Sequence, residues 1–213
     1  MSTGSRLELP AGACDCHVHF YGDPRTHPPR LDAGLAPQRG GAGDYRTVMQ
    51  RLGLERVVAV QSILYGFDNS CMVDGMMQIG AGARGVAVVS ASTPPAELRR
   101  LDDRGVRGAR AFMLPGGAFG WDELAPLAKR VAELGWHVQV QLDGCELPRR
   151  AEMLGSLPCT VVIDHVGKFL EPVEPAHPAF HALLRLIDTG RTWVKLSAPY
   201  ESSRMGPPRY EDV

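Results

Sequence analysis

Two histidines stand one residue apart in Asp15-Cys16-His17-Val18-His19. On an extended strand alternate side chains share a face, so His17 and His19 project together, with Asp15 on the same side. Two neighbouring imidazoles can grip one metal ion or one substrate oxygen. The same alternation turns Cys14 and Cys16 the other way, toward covering helices. They read as small buried hydrophobes rather than as part of a Cys-x-Cys-x-His metal site. A third imidazole, His165, ends the apolar run Val161-Val-Ile-Asp-His165. At the C-terminal end of a strand it can ligate a metal or hydrogen-bond a carbonyl. Strict alternation sends Asp164 to the opposite, helical side, as a structural residue.

In Val106 to Phe112, the set Gly108, Arg110 and Phe112 shares a face, and an inward Arg110 can hold a carboxylate through two parallel hydrogen bonds. Arg107 then faces outward. Gln139 and Gln141 share a face of a later strand and are candidates to line a pocket, as are Lys195 and Ser197 on another. Tyr65, Asp68 and Asn69 follow the second strand, where Asp68 or Asn69 reads as a helix cap. His27, His137, His177 and His181 have no partner pattern and read as ordinary.

These residues need a scaffold that brings strand ends together. Seven short β-branched runs are predicted as strands: Ala13 to Phe20, Arg56 to Gln61, Arg84 to Val89, Val106 to Phe112, Trp136 to Leu142, Thr160 to Asp164 and Trp193 to Ser197. Six amphipathic stretches alternate with them: Asp44 to Leu52, Asn69 to Ile79, Pro95 to Asp103, Trp121 to Leu134, Glu146 to Leu154 and Pro178 to Asp188. Asp44 reads as the cap of the first. Gly53, Gly105, Gly135, Gly155 and Gly190 fall at or just after helix ends. Strict alternation of nearly continuous apolar strands with helices predicts an α/β fold with a parallel sheet. A doubly wound sheet is the rival, but Phe20-Tyr-Gly-Asp-Pro-Arg25 is no phosphate loop. Polar residues recurring at strand ends favour a (β/α)8 TIM barrel with its site at the C-terminal rim. The count stops at seven strands, so the barrel is expected to be truncated before its eighth, with Pro207 to Val213 beginning a seventh helix. The Gly-, Pro- and Arg-rich stretch from Tyr21 to Gly43 reads as a loop over the barrel mouth.

The 213 residues are 44% hydrophobic, enough for one domain over 1–213 with a sizeable core. A net charge of -1 with no basic field argues against nucleic acid as a partner. No apolar run reaches the roughly 20 residues needed to cross a bilayer, and the N-terminus lacks the apolar stretch of a signal peptide. The expected location is cytoplasmic, with the five cysteines reduced.

Several ordered motifs carry a family resemblance. They are the His-x-His strand, Val-Gln-x-x-x-Tyr-Gly-x-Asp-Asn from Val60 to Asn69, Gly-x-Arg-Ala-Phe around Arg110, Ile-Asp-His-x-Gly from Ile163 to Gly167, and Val-Lys-Leu-Ser from Val194. From about Leu9 onward the chain resembles the amidohydrolase superfamily, and within it the amidohydrolase-related lactonases, which include sugar-lactone hydrolases and 2-pyrone-4,6-dicarboxylate lactonase. The resemblance implies a TIM-barrel hydrolase in which water attacks a lactone carbonyl. It implies that His17, His19 and His165 are catalytic, polarising that carbonyl or binding a metal, and that Arg110, Gln141 and Tyr65 bind substrate. The general base of the family is an aspartate ending the eighth strand, which has no counterpart before Val213.

Departures from the family pattern narrow the expectation. Gln139 and Gln141 stand where a bridging lysine or histidine is common. That implies no obligate cofactor, or one divalent metal such as zinc. Gly116 and Glu201 stand where the pyrone-dicarboxylate lactonase has arginines, which favours a neutral or monoanionic lactone. The expected partner is a small lactone or carboxylate, with a homo-oligomer left open. A metal-dependent decarboxylase of the same superfamily is the alternative. An inactive fragment or binding protein is a third reading, because an open barrel exposes two strand edges.

Overall fold

A computed structural model describes residues 9–30 and 39–213. Seven strands form one sheet, each hydrogen-bonded to the next in chain order. They are β1 (Cys14–Val18), β2 (Arg56–Val60), β3 (Ala83–Ala87), β4 (Val106–Phe112), β5 (His137–Gln141), β6 (Val161–Ile163) and β7 (Thr192–Val194). All six pairings are parallel. Between them run α1 (Ala42–Leu52), α2 (Ser70–Ile79), α3 (Pro95–Asp103), α4 (Trp121–Ala132), α5 (Leu147–Ser156) and α6 (Pro178–Asp188).

Sequential order excludes the doubly wound alternative, whose strand order reverses at a switch point. The sheet curls as a TIM barrel does, and seven of the eight strand positions are filled. The curl brings the last strand back to the first: Lys195 Nζ, just past β7, donates to the Cys16 carbonyl of β1 at 2.8 Å. No described backbone hydrogen bond joins β1 to β7.

The core lies between strands and helices. Val138 and Val140 of β5 and Val161 and Ile163 of β6 face outward onto Leu124, Leu127 and Val131 of α4, Leu154 of α5 and Leu183 and Leu186 of α6, all buried. Each such side chain contributes roughly 1.5–3 kcal/mol by leaving water. Alternate positions along the same strands point inward, and beside Val162 they carry polar groups: Gln139, Gln141 and, just past β6, Asp164 are all buried. The apolar jacket therefore dictates a polar lumen, because period-2 alternation leaves those positions nowhere else to go.

The elements follow the expected pattern with local shifts. α1 begins two residues earlier than Asp44. Gly41 is its N-cap, and Asp44 accepts the Gly41 N–H at 3.1 Å from the third helical position. Gly53 ends α1 with φ +75 and donates to Met49 O. Gly155 is the penultimate residue of α5, at its end as expected. The stretch from Pro207 to Val213 forms turns, with no helix; two successive prolines deny it two backbone donors. Residues 31–38 of the expected mouth loop lie outside the described residues, but Tyr21 is hydrogen-bonded to Gly40 O at 3.0 Å and lies over the C-terminal rim. No described helix is long and apolar enough to cross a membrane.

Gly75 in α2 gives a test of this packing. A Cβ there would stand 2.2 Å from the ring of buried Phe20, which follows β1. Gly75→Ala gains about 1 kcal/mol of helix propensity but overpacks at a cost of about 1–3 kcal/mol. The variant is expected to unfold at lower urea concentration than the parent, against the propensity trend.

Candidate functional site

The histidine pair reaches the lumen through an irregular strand. Between Asp15 and Val18 the register of β1 against β2 slips by one residue: Asp15 pairs with Val57, but Val18 pairs with Ala59. The bulge takes Asp15 off the face it was expected to share with the histidines. Its carboxylate accepts from the Tyr45 hydroxyl of α1 at 2.7 Å and from His17 N at 3.0 Å. His17 and His19 continue inward, with ring centroids 5.0 Å apart and planes nearly perpendicular. His19 Nδ1 lies 2.8 Å from the Val60 carbonyl, so it carries the proton and leaves Nε2 as the acceptor nitrogen.

His165 joins them by a different device. β6 ends at Ile163, and Asp164 keeps the inward alternation of Val162, contrary to the expected outward placement. His165 would then point outward. Instead the backbone turns left-handed, with φ of 54, 56, 91 and 48 at His165, Val166, Gly167 and Lys168. This conformation costs a side-chain-bearing residue roughly 1–2 kcal/mol. It is held by Val166 N donating to Lys195 O at 2.8 Å and by Lys168 N donating to His165 O at 2.8 Å. The turn swings the His165 ring inward to 4.7 Å from that of His17, with Nδ1 3.0 Å from the Ser197 hydroxyl. Two adjacent residues, Asp164 and His165, thus serve one lumen.

Below the imidazoles lies a closed polar network. Gln139 donates to Asp164 Oδ2 at 3.0 Å and accepts from Lys195 Nζ at 2.7 Å. Lys195 Nζ is 3.9 Å from Asp164 Oδ1, and His17 Nδ1 sits between them, 3.5 Å from Asp164 Oδ1 and 3.4 Å from Lys195 Nζ. Burial alone would raise the Asp164 pKa. The close approach of His17, with the charges of Lys195 and Arg110 beyond, outweighs burial and brings it down to about 2. Burial lowers all the neighbouring imidazoles: His17 falls below its usual value, His19 to about 3 and His165 to about 4. At neutral pH the lumen holds neutral histidines around an ionised aspartate.

Above this network opens a cavity of about 230 Å³, lined by His19, Tyr21, Ser62, Arg110, Phe112, Gln141, His165, Lys168 and Glu201 among others. Arg110 is 3% exposed, and its guanidinium donates to Gln61 O at 2.5 Å and to Gln141 Oε1 at 2.8 Å. Its Nε has no partner among the described residues. A buried guanidinium bonded only to neutral acceptors is suited to an anion arriving from the cavity. Of the residues expected to bind substrate, Arg110 and Gln141 meet at this wall. Tyr65 stands behind it: its hydroxyl accepts the Gly22 N–H at 3.1 Å, which fixes the chain next to Tyr21.

Lys168 and Glu201 escaped the residue-by-residue reading of this wall, because both ride on irregular turns without periodicity. Asp164 was misplaced by alternation, whereas the shared face of Lys195 and Ser197 was a usable signal.

The donor atoms of His17, Asp164 and His165 lie within 4.8 Å of one another and could hold a metal ion. His17 Nε2 and Asp164 Oδ1 are buried without hydrogen-bond partners among the described residues, so this donor set fits one divalent cation. His19, expected among the ligands, lies outside the group, with Nδ1 committed to Val60.

Two outcomes test this arrangement. Asp164→Asn leaves Lys195, 12% exposed at its side chain, without its buried counter-ion. The variant should lose about 3 kcal/mol in urea unfolding, and the added change Lys195→Met should restore part of it. The second outcome concerns acid. His19, His137 and His165 titrate at about 3, 4 and 4 when folded, against 6.5 when unfolded. The unfolded chain therefore holds more protons in that interval, and stability should fall as pH drops from about 6.5 to about 4. Asp164 adds a further loss below its unfolded pKa, as pH falls toward about 2. Denaturation midpoints measured across this range check the slope.

Comparison with known proteins places this geometry. The chain is 37% identical over 214 residues to D-galactarolactone isomerase of Agrobacterium fabrum, covering 99% of this chain and 72% of that protein. It is 35% identical to 2-pyrone-4,6-dicarboxylate hydrolase of Comamonas testosteroni, covering 95% and 67%. An apo crystal structure from Agrobacterium tumefaciens superposes with a TM-score of 0.89 at 34% identity, covering 97% of this chain and 75% of that one. Residues 14–212 match the family described as amidohydrolase, and the chain belongs to that family.

Proposed function

We propose that this protein is a hydrolase that opens a lactone by water attack on the ring carbonyl. The observation that carries the reading is the convergence of two neutral imidazoles, His19 and His165, and a buried arginine around one small cavity, with the His17 ring packed against both. The names of two relatives, the pyrone-dicarboxylate hydrolase and D-galactarolactone isomerase, and of a 4-sulfomuconolactone hydrolase from Rhizobium radiobacter at 28% identity, fit a lactone in that space.

Each group has a task in such a reaction. Arg110 holds a carboxylate of the substrate, with Gln141 keeping its guanidinium planar to the wall. His19 offers Nε2, and His165 is oriented by Ser197; both are uncharged at neutral pH and can take a proton from water. Burial that keeps them neutral also weakens them as bases, so correct orientation contributes more than basicity. Lys195 supplies positive charge beneath the cavity while Asp164 keeps the lumen near neutrality. If His17, Asp164 and His165 hold a divalent metal such as zinc, it would polarise the carbonyl and lower the pKa of bound water to about 7. The five free cysteines support a reducing, cytoplasmic setting.

The same donor group favours one second reading, a metal-dependent decarboxylase acting on a carboxylated substrate. A panel of lactones followed by acid release, with metal content measured on the same sample, separates the two. Lactone turnover is expected. Stoichiometric metal with carbon dioxide release and no lactone turnover would establish the second reading instead. Within the panel, Arg110→Met should lower kcat/KM about 10- to 100-fold for carboxylated lactones and much less for neutral ones.

A further inference from the structure

Cys14 and Cys16 take no part in the lumen chemistry, and the structure does not bury them against helices as expected. Cys16 is exposed and Cys14 half-buried. Both line a cleft of about 560 Å³ between β1 and β7, separate from the cavity that holds Arg110. Trp193, 67% exposed, and Leu196 line the same cleft. The two thiols are in hydrogen-bond contact with each other. Each also reaches a carbonyl of its own strand: Cys14 Sγ donates to Asp15 O at 3.5 Å and Cys16 Sγ to Cys14 O at 3.7 Å.

Two sulfur donors in contact choose a ligand by softness and by coordination number. Among the described residues no third histidine, cysteine or carboxylate completes a metal-holding group with them. The Asp15 carboxylate between them is taken by the Tyr45 hydroxyl and by His17 N. Zinc, which takes four ligands, is left half-coordinated by two thiolates. A soft monovalent cation such as Cu(I) is satisfied by two. The charges around the pair agree with that choice. Two thiolates with one monovalent cation carry a net negative charge, whereas a divalent cation would make a neutral complex. Two side-chain cations stand ready for the negative one. Arg56 pairs with Cys14 in the β1–β2 register, with its Nε donating to Gly12 O at 2.6 Å. Lys195 Nζ lies 2.8 Å from Cys16 O. Burial and the neighbouring Cys16 thiol push the Cys14 thiol up to about 11, so Cys14 is no activated nucleophile at neutral pH.

We propose that Cys14 and Cys16 form a binding site for a soft monovalent metal ion at the edge of β1, distinct from the His17, Asp164 and His165 group. Binding exchanges two S–H bonds for two sulfur–metal bonds and releases two protons to solvent, with no change of oxidation state. The site is independent of the lactone reading, because none of its donors lines the cavity that would receive a lactone. Anaerobic titration of the full chain with Cu(I), in competition with the chromophoric chelator bicinchoninate, tests it. The parent protein should withdraw one equivalent of Cu(I) from the chelator. Bound Cu(I) should quench the fluorescence of Trp193 across the cleft, and Trp193→Phe should remove that quenching.

Cys14→Ser and Cys16→Ser should each weaken Cu(I) uptake at least about 100-fold, the upper end of what losing a mere supporting partner of a metal site costs. Cys145→Ser removes an exposed thiol elsewhere and should leave uptake unchanged, as should His165→Gln in the lumen. Urea midpoints establish that each variant compared is folded. If Cys14→Ser does not fold, Cys16→Ser, at the exposed position, decides. A parent that withdraws no Cu(I) from the chelator, uptake that survives both cysteine substitutions, uptake lost with folded Cys145→Ser or His165→Gln, or quenching that persists in Trp193→Phe would overturn the proposal.

Discussion

A carboxylate with no exposure to solvent, that of Asp164, is what the rest of the lumen arranges itself around. An ionised group taken out of water is tolerated only with compensation. Here the compensation comes from three strands at once: Gln139 of β5, His17 of β1 and Lys195 just past β7. Two of these contacts tie neighbouring strands, and the third, from His17, reaches β1 at the other edge of the curled sheet. The apolar jacket of valines and leucines supplies the free energy of burial; the polar centre selects the geometry.

Burial, rather than this charge, sets the state of the imidazoles. Burial drives protons off His17, His19 and His165, and the cations of Lys195 and Arg110 add to that effect. Asp164 works against it without reversing it. Neutral nitrogens facing a cavity with a buried guanidinium on its far side make a site with fixed acceptors and one fixed anion receptor. Little of this machinery lies on mobile side chains. His19 is pinned by the Val60 carbonyl, His165 by Ser197 and Arg110 by Gln61 and Gln141.

The alternation of strands and helices was legible from hydrophobic periodicity, because outward strand residues must pack on helices and do. The inward positions of Arg110, Gln139, Gln141 and Lys195 followed from the same period of two. That logic failed wherever the backbone left the ideal strand. A bulge in β1 turned Asp15 toward Tyr45, and the left-handed turn after β6 brought His165 into the lumen as expected while Asp164, expected on the helical side, stands there too. Positive φ at a histidine, a valine and a lysine has no local signature, since nothing but tertiary contact holds it there. The contribution of Lys168 to the cavity wall was hidden for the same reason, whereas Glu201 was reached through the family pattern and not through periodicity.

That turn also ties two properties to one hinge of backbone. His165 and Lys168 cannot be repositioned independently, because a change relaxing the conformation of either displaces both. Position 201 carries no such burden, since it approaches from another segment. Variation along the chain is thereby channelled: the acidic partner Glu201, ion-paired with Lys168, can be replaced without disturbing the turn, while the lysine stays hostage to the imidazole three residues before it.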